Sequence, residues 1–106
     1  MAPATIIVEG TFRTGYEACF AEYSRTVRAY LEKHAGVVVR RQRVEKVLYG
    51  QRELERTMPD LVMLIDFPDA AIAEQIFFAP DYLAMIPLRD KVFADFRMYL
   101  AAFGEI

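Results

Sequence analysis
The segment Leu61–Phe67 reads LVMLIDF, an apolar run broken by a single acid. Pro59 and Asp60 precede it, and Pro68 and Asp69 follow. A short apolar run between such turn residues reads as a buried strand. Side chains along a strand alternate between its two faces. Val62, Leu64 and Asp66 therefore point one way, and Met63, Ile65 and Phe67 the other. Both faces are largely apolar, so both need a cover. Helices of one short chain can supply it on one face, and a second copy is the economical cover on the other.

The remaining elements are read around this strand. Thr5–Phe12 (TIIVEGTF) is a first strand, with Ile7, Glu9 and Thr11 on one face and Ile6, Val8, Gly10 and Phe12 on the other. Thr14 and Glu17 have the spacing of a capping box, which predicts a helix start. The apolar stripe Tyr16, Cys19, Phe20, Tyr23, Val27, Tyr30 and Leu31 continues that helix, and Gly36, after His34 and Ala35, is its expected C-cap. Val37–Tyr49 begins β-branched and ends in mixed charge, which predicts a second strand closed by Gly50. Gln51–Asp60 is a polar connection.

Asp69 caps a second helix over Ala70–Phe78, closed or kinked at Pro80. Further turns broken at Pro87 run to about Asp95, and Phe96–Phe103 (FRMYLAAF) is the last strand. Leu100, Ala101 and Ala102 suit a helix as well, so a helical reading of that segment stays open. The order β-α-β-β-α-β is the split arrangement of ferredoxin-like folds: an α+β class with an antiparallel sheet, here one domain over residues 1–106.

Composition narrows the function classes. Hydrophobic residues make up 55%, above the usual range of roughly 45–50%. No segment approaches the roughly 20 apolar residues of a membrane helix. The excess apolar surface therefore implies a partner subunit or an apolar cavity. A net charge of −2 gives no global field toward nucleic acid or an anionic membrane. Met1–Thr5 carries no basic residue and leads into only a brief apolar run, Ile6–Val8, so no secretory signal is read and a cytoplasmic location is expected. The lone Cys19 lies on the apolar stripe and reads as core, in agreement with a reducing compartment. His34 has no second His and no nearby Cys, which argues against a metal site. Neither a glycine-rich phosphate loop nor a Ser/His/Asp arrangement is recognisable, so no cofactor is implied.

Asp66 is the sharpest anomaly, because an acid inside an apolar strand is costly to bury without a partner. In a partly dry cleft it would suit a general acid or base. The competing roles are an ion pair with Arg41 or Arg89, or a cap on the helix after Pro68. Glu9 is the analogous acid on the neighbouring first strand. It is expected either to approach Asp66 as a carboxylate pair or to stand exposed at the strand edge. Arg41 can hold a carboxylate or phosphate bidentately. It belongs to a basic run with Arg40 and Arg43 that reads as a solvated hairpin, since Glu45, Glu53 and Glu55 follow, and as a nucleic-acid patch it is weak, since Arg40–Lys46 lacks the aromatics that base stacking needs. Tyr82 and Arg89 are seven apart, two helical turns with Pro87 between them. They would close a cleft as hydrogen-bond donor and anion anchor, or fix the helix to a partner.

Ala35-Gly36 followed by Arg41, Val47-Leu48-Tyr49-Gly50, Asp66-Phe67-Pro68, Pro80-Asp81-Tyr82 and Pro87-Leu88-Arg89 together resemble the DUF1330 family. The family usually has a Gly-Gly pair in place of Ala35-Gly36, and Glu in place of Asp66. The resemblance implies a dimeric α/β barrel in which two ferredoxin-like sheets pack face to face. The family's function is unassigned, so the resemblance supplies architecture and candidate positions only. The combined expectation is a homodimeric barrel that binds a small organic anion or carbonyl compound, with acid–base chemistry at Asp66 and Glu9 and ligand contacts from Arg41, Tyr82 and Arg89. The alternative is a non-catalytic dimerisation or interaction module.

Overall fold
A computed structural model describes residues 2–50 and 58–102. In chain order the elements are β1 (Ala4–Phe12), α1 (Glu17–Lys33), β2 (Val37–Arg43), β3 (Leu61–Phe67), α2 (Ala70–Ile76), α3 (Pro80–Leu83), α4 (Ile86–Val92) and β4 (Phe93–Ala102). The strands form a four-stranded sheet in the order β2-β3-β1-β4, and every pairing is antiparallel. The β-α-β-β-α-β order therefore holds, with the second helical region divided into α2, α3 and α4.

The alternation read in Leu61–Phe67 sets the layers. Ile6 pairs with Ile65 and Val8 with Met63 on one face, while Ile7 pairs with Leu64 and Glu9 with Val62 on the other. The core forms on the first face, where Ile6, Val8, Ile65 and Phe67 meet Tyr23, Val27 and Leu31 of α1, Ala73 of α2, Tyr82 of α3 and Val92 of α4. On the opposite face Ile7, Val62 and Leu64 stay only half-buried.

Several boundaries differ from the sequence reading, each for a local reason. The final segment is a strand, and it starts at Phe93 rather than Phe96: Phe93 pairs with Phe12 and Asp95 with Thr11. Phe103 lies outside the described residues. Pro87 does not break a helix but sits in the first turn of α4, where the missing N–H would have had no helical partner. β2 ends at Arg43 instead of Tyr49, and Val44 N–H closes the ladder on the Asp60 carbonyl at 2.8 Å. Of the polar connection, residues 51–57 lie outside the described residues.

Both ends of α1 correct a cap expectation. No side chain caps its N-terminus, where the capping residue is Tyr16. Gly15 turns the chain at φ 74° and leaves Thr14 outside the helix, so the Thr14–Glu17 box does not close. At the C-terminus the left-handed residue is Ala35, at φ 62°, rather than Gly36. Gly36 N–H reaches the Leu31 carbonyl at 2.8 Å and Ala35 N–H the Glu32 carbonyl at 3.3 Å, the bond pair of a Schellman ending. Gly36 is needed for close approach instead, since a Cβ there would stand 2.8 Å from the Phe67 ring.

A left-handed conformation costs a non-glycine residue roughly 1–2 kcal/mol, and glycine's greater freedom in the unfolded chain offsets about 0.5–1 kcal/mol of the relief. Ala35→Gly is therefore expected to raise stability by about 0.5–1 kcal/mol, while Gly36→Ala lowers it. Urea denaturation of the two variants checks this, and a gain at position 36 with a loss at position 35 would reverse the assignment.

Candidate functional site: the Tyr82–Arg89 cleft
Tyr82 and Arg89 meet on the helix-covered side of the sheet. The backbone between them keeps its helical turns across the α3–α4 junction, with Met85 N–H bonded to the Tyr82 carbonyl at 2.8 Å and Arg89 N–H to the Met85 carbonyl at 3.0 Å. The seven-residue spacing thus acts as two turns despite Pro87, and Arg89 Nη1 donates to the Tyr82 hydroxyl at 3.3 Å. That hydroxyl lies 2.8 Å from the Tyr23 hydroxyl of α1. The guanidinium of Arg89 also lies over the Phe96 ring, 4.6 Å from its centroid, a cation–π arrangement that holds it along the sheet.

One atom of this cluster is left over. Arg89 Nε is buried and has no hydrogen-bond acceptor. The closest charge partner, Asp90, stands 3.8 Å away through an outward-facing carboxylate. Beside Arg89 opens a cleft of about 430 Å³, walled by Ile6, Phe77, Phe78 and Phe96, with Tyr82, Arg89 and Glu74 as its charged or hydroxyl-bearing groups. Its size falls within the range of small-molecule sites, roughly 300–1,000 Å³.

Tyr23 was legible only as a member of the apolar stripe. The overlooked signal is its hydroxyl, because a tyrosine on a core-facing stripe needs a buried partner for that group. Burial, and then the Tyr82 hydroxyl, push the Tyr23 pKa far above the ordinary 10.0. Burial also raises Tyr30, whose hydroxyl donates to the Ile76 carbonyl at 2.6 Å.

The other predicted site residues lie elsewhere. Asp66 is on the opposite sheet face, paired with Thr5 and Val37, and accepts a 2.7 Å bond from the Thr5 hydroxyl. The expected ion pair with Arg41 or Arg89 does not form, since both arginines are on the helix-covered side. Strict alternation from Val37 would put Arg41 on the Asp66 face, but a bulge between Val38 and Arg40 reverses the side, so that Arg41 stands opposite Met63. The helix after Pro68 is capped by Asp69, which accepts from Ala71 N–H at 2.9 Å. Glu9 shares the face of Asp66 but pairs with Val62 and Arg97. Asp66 lies opposite Thr5, four positions along β1, or roughly 13 Å at strand spacing. The carboxylate pair is therefore not assembled: adjacent strands are not enough, and the register separates the two acids.

Cys19 is partly buried against the core, and His34 meets the Tyr30 ring edge-on at 4.9 Å. Among the described residues no group of three or more His, Cys, Asp or Glu could hold a metal ion, and no helix is long and apolar enough to cross a membrane.

The sheet and its helices define a ferredoxin-like α+β protein. The family model "Domain of unknown function (DUF1330)" matches residues 6–102, and the chain belongs to that family. It is similar to the RPA0582 protein of unknown function from Rhodopseudomonas palustris, with TM-score 0.79 and 19% identity over 99% of this chain and 85% of that one. It is similar as well to SnoaB, a cofactor-independent oxygenase from Streptomyces nogalater, with TM-score 0.66 and 14% identity over 100% of this chain and 97% of that one. A dimeric protein of unknown function and ferredoxin-like fold from Bacteroides fragilis matches with TM-score 0.61 and 10% identity over 97% of this chain and 98% of that one. No curated protein matches the chain.

The tyrosine pair sets an alkaline limit on stability. Above the ordinary pKa of 10.0 the unfolded chain ionises Tyr23, whereas the folded chain holds it neutral. The stability this provides is complete below pH 10 and falls as pH rises further. Tyr23→Phe is expected to flatten that decline and to cost about 1 kcal/mol at neutral pH for the lost hydrogen bond. Denaturation curves of both proteins between neutral and strongly alkaline pH test this, and an unchanged slope would refute it.

Proposed function
We propose that this protein is a homodimer whose subunits each bind a small, partly apolar organic anion or carbonyl compound in the Tyr82–Arg89 cleft. The observation that carries the reading is the buried Arg89 Nε with no acceptor. A buried donor on a cation is costly to leave unpaired, and a ligand carboxylate or carbonyl oxygen would accept its hydrogen. The Tyr82 hydroxyl, 3.3 Å from Arg89 Nη1, supplies a second contact to the same oxygen-bearing group. Phe77, Phe78 and Phe96 receive the apolar body of the ligand. Arg89 and Tyr82 together would polarise a bound carbonyl.

Arg41 is not part of this cleft. Asp66 and Glu9 lie on the face that this reading gives to the partner subunit, beside Ile7, Val62, Leu64 and Tyr99, and they are proposed to position that partner. The half-buried apolar centre of the face supports the dimer, as does the dimeric fold relative from Bacteroides fragilis. The oxygenase activity of SnoaB is not carried over, because that likeness concerns the fold. A second reading, a dimerisation module without a ligand, is favoured by Asp66, whose contact is the Thr5 hydroxyl of the same sheet.

Native mass spectrometry of gently purified protein separates the two readings. The expected result is a dimer carrying a small adduct that is lost in Arg89→Met and kept in Asp66→Asn. A bare dimer in every case favours the module, and a monomer stable at micromolar concentration overturns the dimer. Asp66→Asn is expected to change stability by less than about 1 kcal/mol, because the amide oxygen still accepts from Thr5. A loss of about 3–5 kcal/mol in urea denaturation would instead mark a buried ion pair.

A further inference from the structure
We propose a second ligand site at the other end of β1, where Arg41 and Arg43 lie over an aromatic floor and take a small planar anion, an aryl carboxylate or aryl phosphate. The two arginines lie on one face of β2, opposite Met63 and Leu61. Their own segment contains no aromatic residue, but the fold brings three from β1 and α1. The Arg41 guanidinium lies 4.8 Å from the Phe20 ring centroid, and that of Arg43 lies 5.7 Å from the Phe12 centroid. Phe12 and Tyr16 stack at 3.9 Å and 6°, with Phe20 edge-on to Phe12 at 5.1 Å. Together with Glu17 these residues border a cleft of about 380 Å³.

With two arginines against the one carboxylate of Glu17, the lining of this cleft is net positive. Among the described residues neither arginine has a carboxylate within ion-pair distance. Each donates one long bond to a neutral hydroxyl, Arg41 to Ser24 and Arg43 to Tyr16, both at 3.4 Å. Of the two acids near Arg43, Asp60 accepts from Phe12 N–H at 2.9 Å and Glu17 stands on the rim. Both arginines are exposed, so each guanidinium, held near a ring, keeps N–H groups open to a ligand. A planar aromatic anion fits that surface, its ring stacking on the guanidinium and its oxygens taking the N–H fork. The Tyr16 hydroxyl oxygen accepts from Arg43, and its O–H can donate to the same oxygens. Glu17 on the rim disfavours a second negative group nearby and selects for a small, singly headed anion.

The test is an NMR titration of the intact protein, following backbone amides, with benzoate, phenyl phosphate and uncharged benzyl alcohol. Saturating shifts centred on Phe12, Tyr16, Arg41 and Arg43 are expected with one or both anions and not with the alcohol, and the stronger anion identifies carboxylate or phosphate as the preferred head group. Arg41→Lys and Arg43→Lys keep the charge but lose the planar fork, and should weaken binding at least about tenfold. Arg89→Met should leave this binding unchanged, which separates it from the Tyr82–Arg89 cleft. Unweakened binding by the lysine variants, shifts confined to the Arg89 cleft, or no saturation by about 10 mM ligand would each overturn the proposal.

Discussion
The ring of Phe93 lies directly on the backbone of Gly10, where an added Cβ would come within 2.5 Å of it. This contact sets the geometry of both arginine clusters. Phe93 opens β4 immediately after Val92 ends α4, so seating its ring on β1 fixes the joint between the helix that carries Arg89 and the strand that carries Phe96. The same ring is 5.0 Å from Phe96, 5.5 Å from Phe12, 6.2 Å from Phe20 and 6.2 Å from Tyr23. Phe96 supports Arg89, Phe12 and Phe20 support Arg43 and Arg41, and Tyr23 holds Tyr82. A side chain at position 10 would displace the ring from which all of these are arranged.

The sheet divides the polar groups between two surfaces. The helix-covered side holds Arg41, Arg43 and Arg89, each against an aromatic ring. The other side holds Asp66, Glu9, Arg97 and an apolar centre of Ile7, Val62 and Leu64. Separating them keeps Asp66 and Glu9 away from Arg41, Arg43 and Arg89. The proposed function follows this division, with organic anions on the helix side and a second subunit on the open side.

Much of this was legible in the sequence. The alternation in Leu61–Phe67 defines β3 and its two faces, the three-and-four spacing from Tyr16 to Leu31 defines α1, and Asp69 is the cap it reads as. The Tyr82–Arg89 pair could be read from its two-turn spacing, because a proline in a helix's first turn removes no bond. The register was not legible. Whether Glu9 faces Asp66 or Val62 depends on which residues of neighbouring strands pair, and nothing local to either strand decides it. The side of Arg41 depends on the bulge after Val38, a one-residue shift that reverses the face of everything after it. The start of β4 is not legible because Val92 and Phe93 serve equally well as the end of an amphipathic helix or the start of a strand. The aromatic floor beneath Arg41 and Arg43 comes from β1 and α1, so inspection of the basic run alone could not find it.

Arg89, and not Asp66, is proposed to meet the ligand. Following the arginine Nε–H resonances while a small carboxylate such as benzoate is added tests it directly. The Arg89 Nε–H signal, from a buried group without a hydrogen-bond acceptor, is expected to shift strongly and saturably as it gains one, while the amides of Thr5 and Asp66 stay in place. An unmoved Arg89 signal alongside saturating shifts at Thr5 and Asp66 would place the ligand on the open face and rule out the Arg89 site.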